Sequence, residues 1–247
     1  MSETTVDRRS GLLNVIDVII APKAAFSRLR VVPTWGWAFL VATLLGIASS
    51  LVIEPATLHA LDKSLPAQLA ANPNIAKLPQ AQQAQAIDRT IGAMKTMIRF
   101  QWIFVPIALL LVGLFQALAL TIANAASRGE GTFGKFFALS ETVMVVGSGL
   151  ASLILALIVV IKGVDSFDSQ NAVIASLPSL ALLVPGVKGA AAGFLLALNV
   201  FNLWATALLA IGATIVGKVK PAASWAAAIA MLLCTAVFMA YGSAQQG

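Results

Sequence analysis

The 247-residue chain is 59% hydrophobic and only 11% charged, with a formal net charge of +6 and a mean hydropathy of +0.91. A soluble domain carries about a quarter charged residues, so this chain lacks the polar surface to cover a globule in water and reads as membrane-embedded. A single cysteine, Cys234, excludes an internal disulfide, and a single histidine, His59, excludes a multi-histidine metal site.

Residues 1–35 are expected to form a cytoplasmic N-terminal segment. The first ten residues are polar and no A-x-A-like site follows the first long apolar run, so no secretory signal peptide is expected. Leu12, Leu13, Val15, Ile16, Ile19 and Ile20 recur near the helical period, interrupted by Asn14 and Asp17 and stopped by Pro22. Lys23, Arg28 and Arg30 follow around Phe26. An apolar-striped helix with basic neighbours suits a membrane surface, where Lys23, Phe26, Arg28 and Arg30 are the candidate lipid contacts. Packing on the cytoplasmic end of the bundle is the alternative, and the two are compatible.

The membrane domain is expected over 36–242. Its first span covers about 36–53, long enough at about 27 Å to cross the hydrocarbon core. Trp35 and Trp37 stand at its start as interfacial anchors, and Glu54-Pro55 is read as its end. Residues 54–100 form the largest polar region, an outer loop punctuated by Pro66, Pro73 and Pro79 and therefore not one helix. Within it Ile87, Ile91, Met94 and Ile98 mark an amphipathic helix that leads into the second span.

The second span covers about 101–124, the third 139–161, the fourth 189–216 and the fifth 222–241. The fourth is the cleanest, a 28-residue stretch without a charged side chain. Between the third and fourth, the apolar piece 172–184 is interrupted by Pro178 and followed by Pro185. It is too short and broken for an ordinary span and reads as interfacial or re-entrant; were it to cross, the count becomes six. The fold class is thus an all-α, polytopic helical bundle with five spans and an N-terminal interfacial amphipathic helix.

With the N-terminus inside, nine Lys and Arg residues fall on cytoplasmic segments, among them Arg8, Arg9, Lys23, Arg28 and Arg30, against seven on the longer outer segments. The positive-inside rule then places the N-terminus in the cytoplasm and the C-terminus outside. The basic excess is spread over loops, which points to anionic lipid head groups at the cytoplasmic face rather than to nucleic acid.

Catalytic chemistry finds no motif. No H-E-x-x-H pair can be assembled, no aspartate lies inside a predicted span, and Gly147-Ser148-Gly149 lacks the spacing of a nucleophile elbow. No enzyme activity, cofactor or metal is expected. The candidate intramembrane polar sites are Asn199, Asn202, Glu141 and Asn124. Asn199 and Asn202, three apart, are expected on one helix face near mid-membrane, either bonding between helices or lining a solute site. Glu141 is expected at the start of the third span, near Lys135 or Arg128 at the interface, where the helix dipole favours an acid. Gly189-x-x-x-Gly193 and the small pairs Gly147/Ala151 and Ser148/Ser152 suit close helix packing, within the chain or with a second copy.

The segment Pro22-Lys-Ala-Ala-Phe26-Ser-Arg-Leu, with Pro33 and a tryptophan before the first span, resembles bacterial members of the Yip family of multi-pass membrane proteins. The likeness runs over about 15–242 and includes Gly-Thr-Phe-Gly-Lys-Phe-Phe at 131–137 and the Lys218–Lys220 turn before Trp225. It implies a five-helix protein of the bacterial inner membrane with a cytoplasmic N-terminus. Eukaryotic relatives bind Rab GTPases, but this chain lacks their long N-terminal region and their Asp-Leu-Tyr-Gly-Pro signature, so that role is not carried over. The leading expectation is a non-enzymatic membrane scaffold or adaptor acting through lipid contact and a protein partner or a second copy. A small-solute carrier or channel with a polar patch at Asn199/Asn202 is the alternative.

Overall fold

Every regular element is helical among the residues described, 9–244, in a computed structural model; residues 1–8, with Arg8 of the basic tally, lie outside them. Two short N-terminal helices, α1 (Arg9–Ile20) and α2 (Pro22–Val31), precede a long α3 (Gly36–Ala71). Pro22 at the first turn of α2 separates the first two, since its ring tolerates a helix start but not an interior. A single turn, α4 (Pro73–Ala76), then leads to α5 (Gln80–Arg99) and α6 (Gln101–Ser127).

The third apolar rod is α7 (Phe133–Met144), a π-helical turn over Val145–Leu150, and α8 (Ala151–Lys162). After α9 (Gln170–Ile174) come α10 (Gly189–Ala197), α11 (Val200–Gly217) and α12 (Pro221–Ala244). Four helices are long and apolar enough to cross a membrane: Gly36–Ala71, Gln101–Ser127, Phe133–Lys162 and Pro221–Ala244. Gly11–Ile20 and Val200–Val216 are apolar but shorter.

Two expected boundaries are corrected. Neither Pro55 nor Pro66 ends α3, which runs 36 residues, Gly36–Ala71. An interior proline forfeits one backbone bond and costs about 3 kcal/mol, yet Ala56 and Ala60, just past Pro55, are fully buried against Val159 and Phe167. Packing there overrides the local breaker. At about 54 Å, α3 is far longer than a hydrocarbon core of about 30 Å.

The second correction concerns α5, which does not run unbroken into the next span. It stops at Phe100, whose N–H returns to Thr96 and Ile98 carbonyls, and α6 restarts at Gln101. The stripe Ile87, Ile91, Met94 and Ile98 is half-buried as expected, facing α3. Lys95 bonds Asp62 across that contact at 2.6 Å.

The main core joins α1, α2, α3, α6, α7, α11 and α12. A separate small core of Ala56, Ala60, Val159, Phe167 and Val173 unites the far half of α3 with α8 and α9. The ion pair Lys63–Asp168 (2.8 Å) borders it, with His59 Nε2 lying 3.8 Å from an Asp165 carboxyl oxygen.

Candidate functional site

The buried carboxyl of Glu141 is the central polar feature of the bundle. The apolar run alone suggested a helix start near Leu139, but α7 begins at Phe133, where Phe133 stacks on Phe137 and Phe137 meets Trp35 edge to face. Glu141 therefore lies in the third turn, about 12 Å in from the helix start. It is fully buried, and neither carboxyl oxygen has a hydrogen-bond partner. The expected pairing with Lys135 or Arg128 is not made: Glu141 joins none of the ion pairs among the described residues.

Space for that carboxyl comes from Gly113, midway along α6. A Cβ at residue 113 would fall 2.1 Å from the Glu141 Oε1 and 3.1 Å from Cδ. Neither α6 nor α11, the helices packed most closely on α7 besides its own continuation, carries a charged side chain. A carboxyl so placed can take a proton, a cation or a donor group, and an intramembrane ionisable residue of this kind marks a functional site more often than a structural one.

One turn beyond Glu141 the rod widens into the π-helical turn Val145–Leu150. Such turns are rare and concentrate at functional sites. Its two glycines admit neighbours: a Cβ on Gly147 would touch Ala205 of α11 at 3.0 Å, and one on Gly149 would touch Leu45 of α3 at 3.2 Å. The small residues here pack the chain on itself. So does Gly193, where a Cβ would meet the Met239 carbonyl of α12 at 2.3 Å, whereas Gly189 opposes nothing.

The expected unbroken helix over 189–216 is corrected to two. Leu198 closes α10, and Asn199 is the N-cap of α11. Asn199 Oδ1 accepts from the Phe201 and Asn202 N–H groups at 3.1 and 2.9 Å, and its Nδ2 donates to the Leu196 carbonyl. Asn202 Nδ2 donates to the Ala197 carbonyl at 2.8 Å. The pair thus does not share one face of a continuous helix; it straddles a joint and satisfies the backbone groups the joint sets free.

The piece 172–184 completes that joint. It contains only α9 and a 3₁₀ turn, Leu180–Leu183, so no helix there is long enough to cross. Leu180 N–H donates to the Leu198 carbonyl and Val200 N–H to the Pro178 carbonyl, pairing Ser179 with Asn199 as an isolated antiparallel bridge. Within a bilayer, irregular backbone is tolerated only where such partners exist.

Asn124 sits at the end of α6 and is largely buried. Its side chain clasps Gly131, accepting from the N–H at 3.0 Å and donating to the carbonyl at 3.2 Å, which folds the loop after the αL residue Arg128. In the same region Glu130 pairs with Lys218 at 2.6 Å. That bond, aided by Arg30 and Lys135, holds the exposed Glu130 carboxyl below its ordinary value.

Of the four N-terminal candidates, two are exposed. Lys23 and Arg30 face outward, whereas Phe26 is fully buried in the main core with Leu29, which corrects its expected place at the lipid surface. Arg28 is tied inward, pairing with Asp17 and donating from Nε to Asn14 at 2.8 Å. α1 buries Val15 and Val18, while Leu12, Leu13, Ile16 and Ile20 are exposed on its other side.

Over 243 residues, 96% of this chain and 94% of the relative, the sequence is 27% identical to "Membrane protein YknW" of Bacillus subtilis (strain 168). No protein-family model matches the chain, and no solved structure matches it. The similarity and the four long apolar helices agree on an integral, multi-pass membrane protein.

Proposed function

We propose that this integral membrane protein is a non-enzymatic scaffold or adaptor of the Yip-like kind in a bacterial inner membrane. The observation that supports this reading is the employment of Asn199 and Asn202. Their hydrogen bonds go to the chain's own backbone at the α10–α11 joint, which commits the Asn199 oxygen and one amide N–H of each asparagine to holding the joint rather than to a solute. With α11 as the fourth crossing and α10 leading into it, the protein has five crossings, a cytoplasmic N-terminus and an outer C-terminus. Asn199 then lies about 27 Å of helix away from the Gly217 end, near one boundary of the bilayer rather than at its middle.

In this reading α1 and α2 dock on the bundle through Val15, Val18, Phe26 and Leu29 and still meet the cytoplasmic leaflet. Leu12, Ile16 and Ile20 enter the interface while Lys23 and Arg30 face anionic head groups. Crosslinking in intact membranes followed by affinity recovery tests the scaffold. A reproducible protein partner, lost when Lys23 and Arg30 are reversed in charge or when exposed span faces are altered, is expected. A chain recovered alone at native abundance would sink it.

Glu141 is the specific feature that favours the second reading, a small-solute carrier. There Glu141→Gln abolishes uptake while the protein still reaches the membrane; in the scaffold the same substitution leaves partner recovery unchanged. No catalytic activity, cofactor or nucleic-acid partner is assigned.

A further inference from the structure

A recess of about 400 Å³ lies between α9, the Leu180–Leu183 turn, the start of α10 and the end of α12, within the size range of ligand pockets. The chain enters α10 along it, through Gly186, Val187, Lys188 and Gly189. Lys188 is the N-cap of α10 and has no side-chain acceptor to offer, so no side chain caps the helix. The Ala192 N–H reaches the Lys188 carbonyl at 3.5 Å, while the N–H groups of Gly189, Ala190 and Ala191 meet no acceptor among the described residues. Such groups point back along the helix axis with the positive end of the helix dipole behind them, an arrangement that favours an anion. The Lys188 ammonium adds a full positive charge. It lines the recess, is exposed, and joins no ion pair among the described residues, and no acidic side chain is in the lining.

An independent pointer comes from α12. Ser243 is only 7% exposed and lines the recess, yet its hydroxyl makes no hydrogen bond among the described residues. Thr235 on the same helix behaves in the ordinary way and donates to the Met231 carbonyl at 3.1 Å. The Ser243 hydroxyl instead reaches past α10 at Gly193, where a Cβ would come within 2.5 Å of its oxygen. A buried hydroxyl without a partner is costly, and an oxygen acceptor in the recess satisfies it. On α9 the Ser169 hydroxyl is occupied in capping Ala172, whereas the Asn171 amide lines the recess and is uncommitted among the described residues.

We propose that this recess binds a phosphate group, held by the open N–H groups of α10, the Lys188 ammonium and the Ser243 hydroxyl. Donors from two helices and a mobile ammonium approach from different directions, which suits tetrahedral oxygens better than a planar carboxylate. Asn171 is then placed for a hydroxyl on the alcohol part of a phosphate ester. Glycerol phosphate has this chemistry, both as a soluble ester and as the head group of phosphatidylglycerol. The proposal depends on neither the scaffold nor the carrier reading.

The test begins with full-length protein in maltoside micelles, which carry no phosphate, titrated calorimetrically with glycerol 1-phosphate and with glycerol as the control. Saturable binding of the ester alone is expected, weakened about tenfold by Lys188→Gln and about threefold by Ser243→Ala. Thermal melts of both variants verify folding. In a second arm the protein is taken from mixed phosphatidylglycerol and phosphatidylcholine nanodiscs and the retained lipid is counted by native mass spectrometry. Phosphatidylglycerol retained by the unaltered chain and lost in Lys188→Gln assigns the site to a lipid head group; ester binding without retained lipid assigns it to a soluble ester. Neither ester binding nor retained phosphatidylglycerol overturns the proposal, and so does binding in either arm that survives both substitutions undiminished in folded protein.

Discussion

At Glu141 and Gly113 a single hydrogen atom decides whether a carboxyl fits inside the bundle. Gly113→Ala drives a methyl into that carboxyl, so it is expected to destabilise the protein by about 1–3 kcal/mol, as overpacking does. Glu141→Ala removes the obstacle. The double variant should recover most of the loss, giving a coupling of about 1–3 kcal/mol in a double-mutant cycle read by detergent unfolding. Additive losses would show that the two residues do not oppose each other.

Asn199 yields a second residue-scale prediction. Its oxygen caps α11 and its amide holds the Leu196 carbonyl, so Asn199→Ala is expected to cost about 1–2 kcal/mol. Asn202→Ala loses one bond and about 1 kcal/mol. The same unfolding assay ranks them. The sequence showed both asparagines but not their task. Ala197-Leu198-Asn199 contains neither proline nor glycine, so nothing in the apolar run marks a break. The legible clue was an N-cap residue type ahead of apolar residues, and the surrounding hydrophobicity masked it.

Among the elements, the far half of α3 meets α8 and α9 over a small core of five buried residues. Phe167 is nearly fully buried between Ala56, Ala60 and Val159. Phe167→Ala should remove about 3–5 kcal/mol from this small core. Faster hydrogen exchange confined to α9 and the facing parts of α3 and α8, with the α6–α7–α11 bundle unchanged, is the expected readout.

The same region has an acid-sensitive edge. The Lys63 hydrogen bond and charge hold the exposed Asp168 carboxyl below its ordinary value of 3.8. A carboxylate held low stabilises the folded state only while ionised. That contribution is in place above pH ~4 and is lost as acidification passes the lower folded value. Exposure keeps it small. A spin-label distance between α3 and the 163–169 loop should broaden slightly below that pH and not at pH 6.

Element boundaries show what local patterns can and cannot report. The stripe on α5 was legible because period alone defines it. The length of α3 was not, since two prolines argue locally for a stop and the alanines that override them act through Phe167, more than a hundred residues away. The π-helical turn was equally hidden, because Gly147-Ser-Gly149 announces flexibility and not a wider winding.

For the molecule as a whole, composition was decisive: so apolar a chain has only a membrane to fold in, and the four long apolar helices follow from that. Depth was harder to read. Glu141 looked like a first-turn residue because the hydrophobic run starts beside it, whereas three phenylalanines extend α7 backwards and leave the carboxyl in the third turn. Five crossings predict termini on opposite faces. Reporters active in only one compartment, fused in turn to each end, should signal inside for the N-terminus and outside for the C-terminus. Both ends reporting one face would remove the fifth crossing.

The unbroken run of α3 gives the molecule a lever. The helix continues through Pro55 and Pro66 from its membrane part to the portion that holds α5 and α9, and the packing of Ala56 and Ala60 on Val159 and Phe167 braces it there. A lean of about 10° in a rod of about 54 Å sweeps its tip by about 9 Å. Changes in bilayer thickness, which tilt crossing helices, are thereby translated into displacement well beyond the lipid.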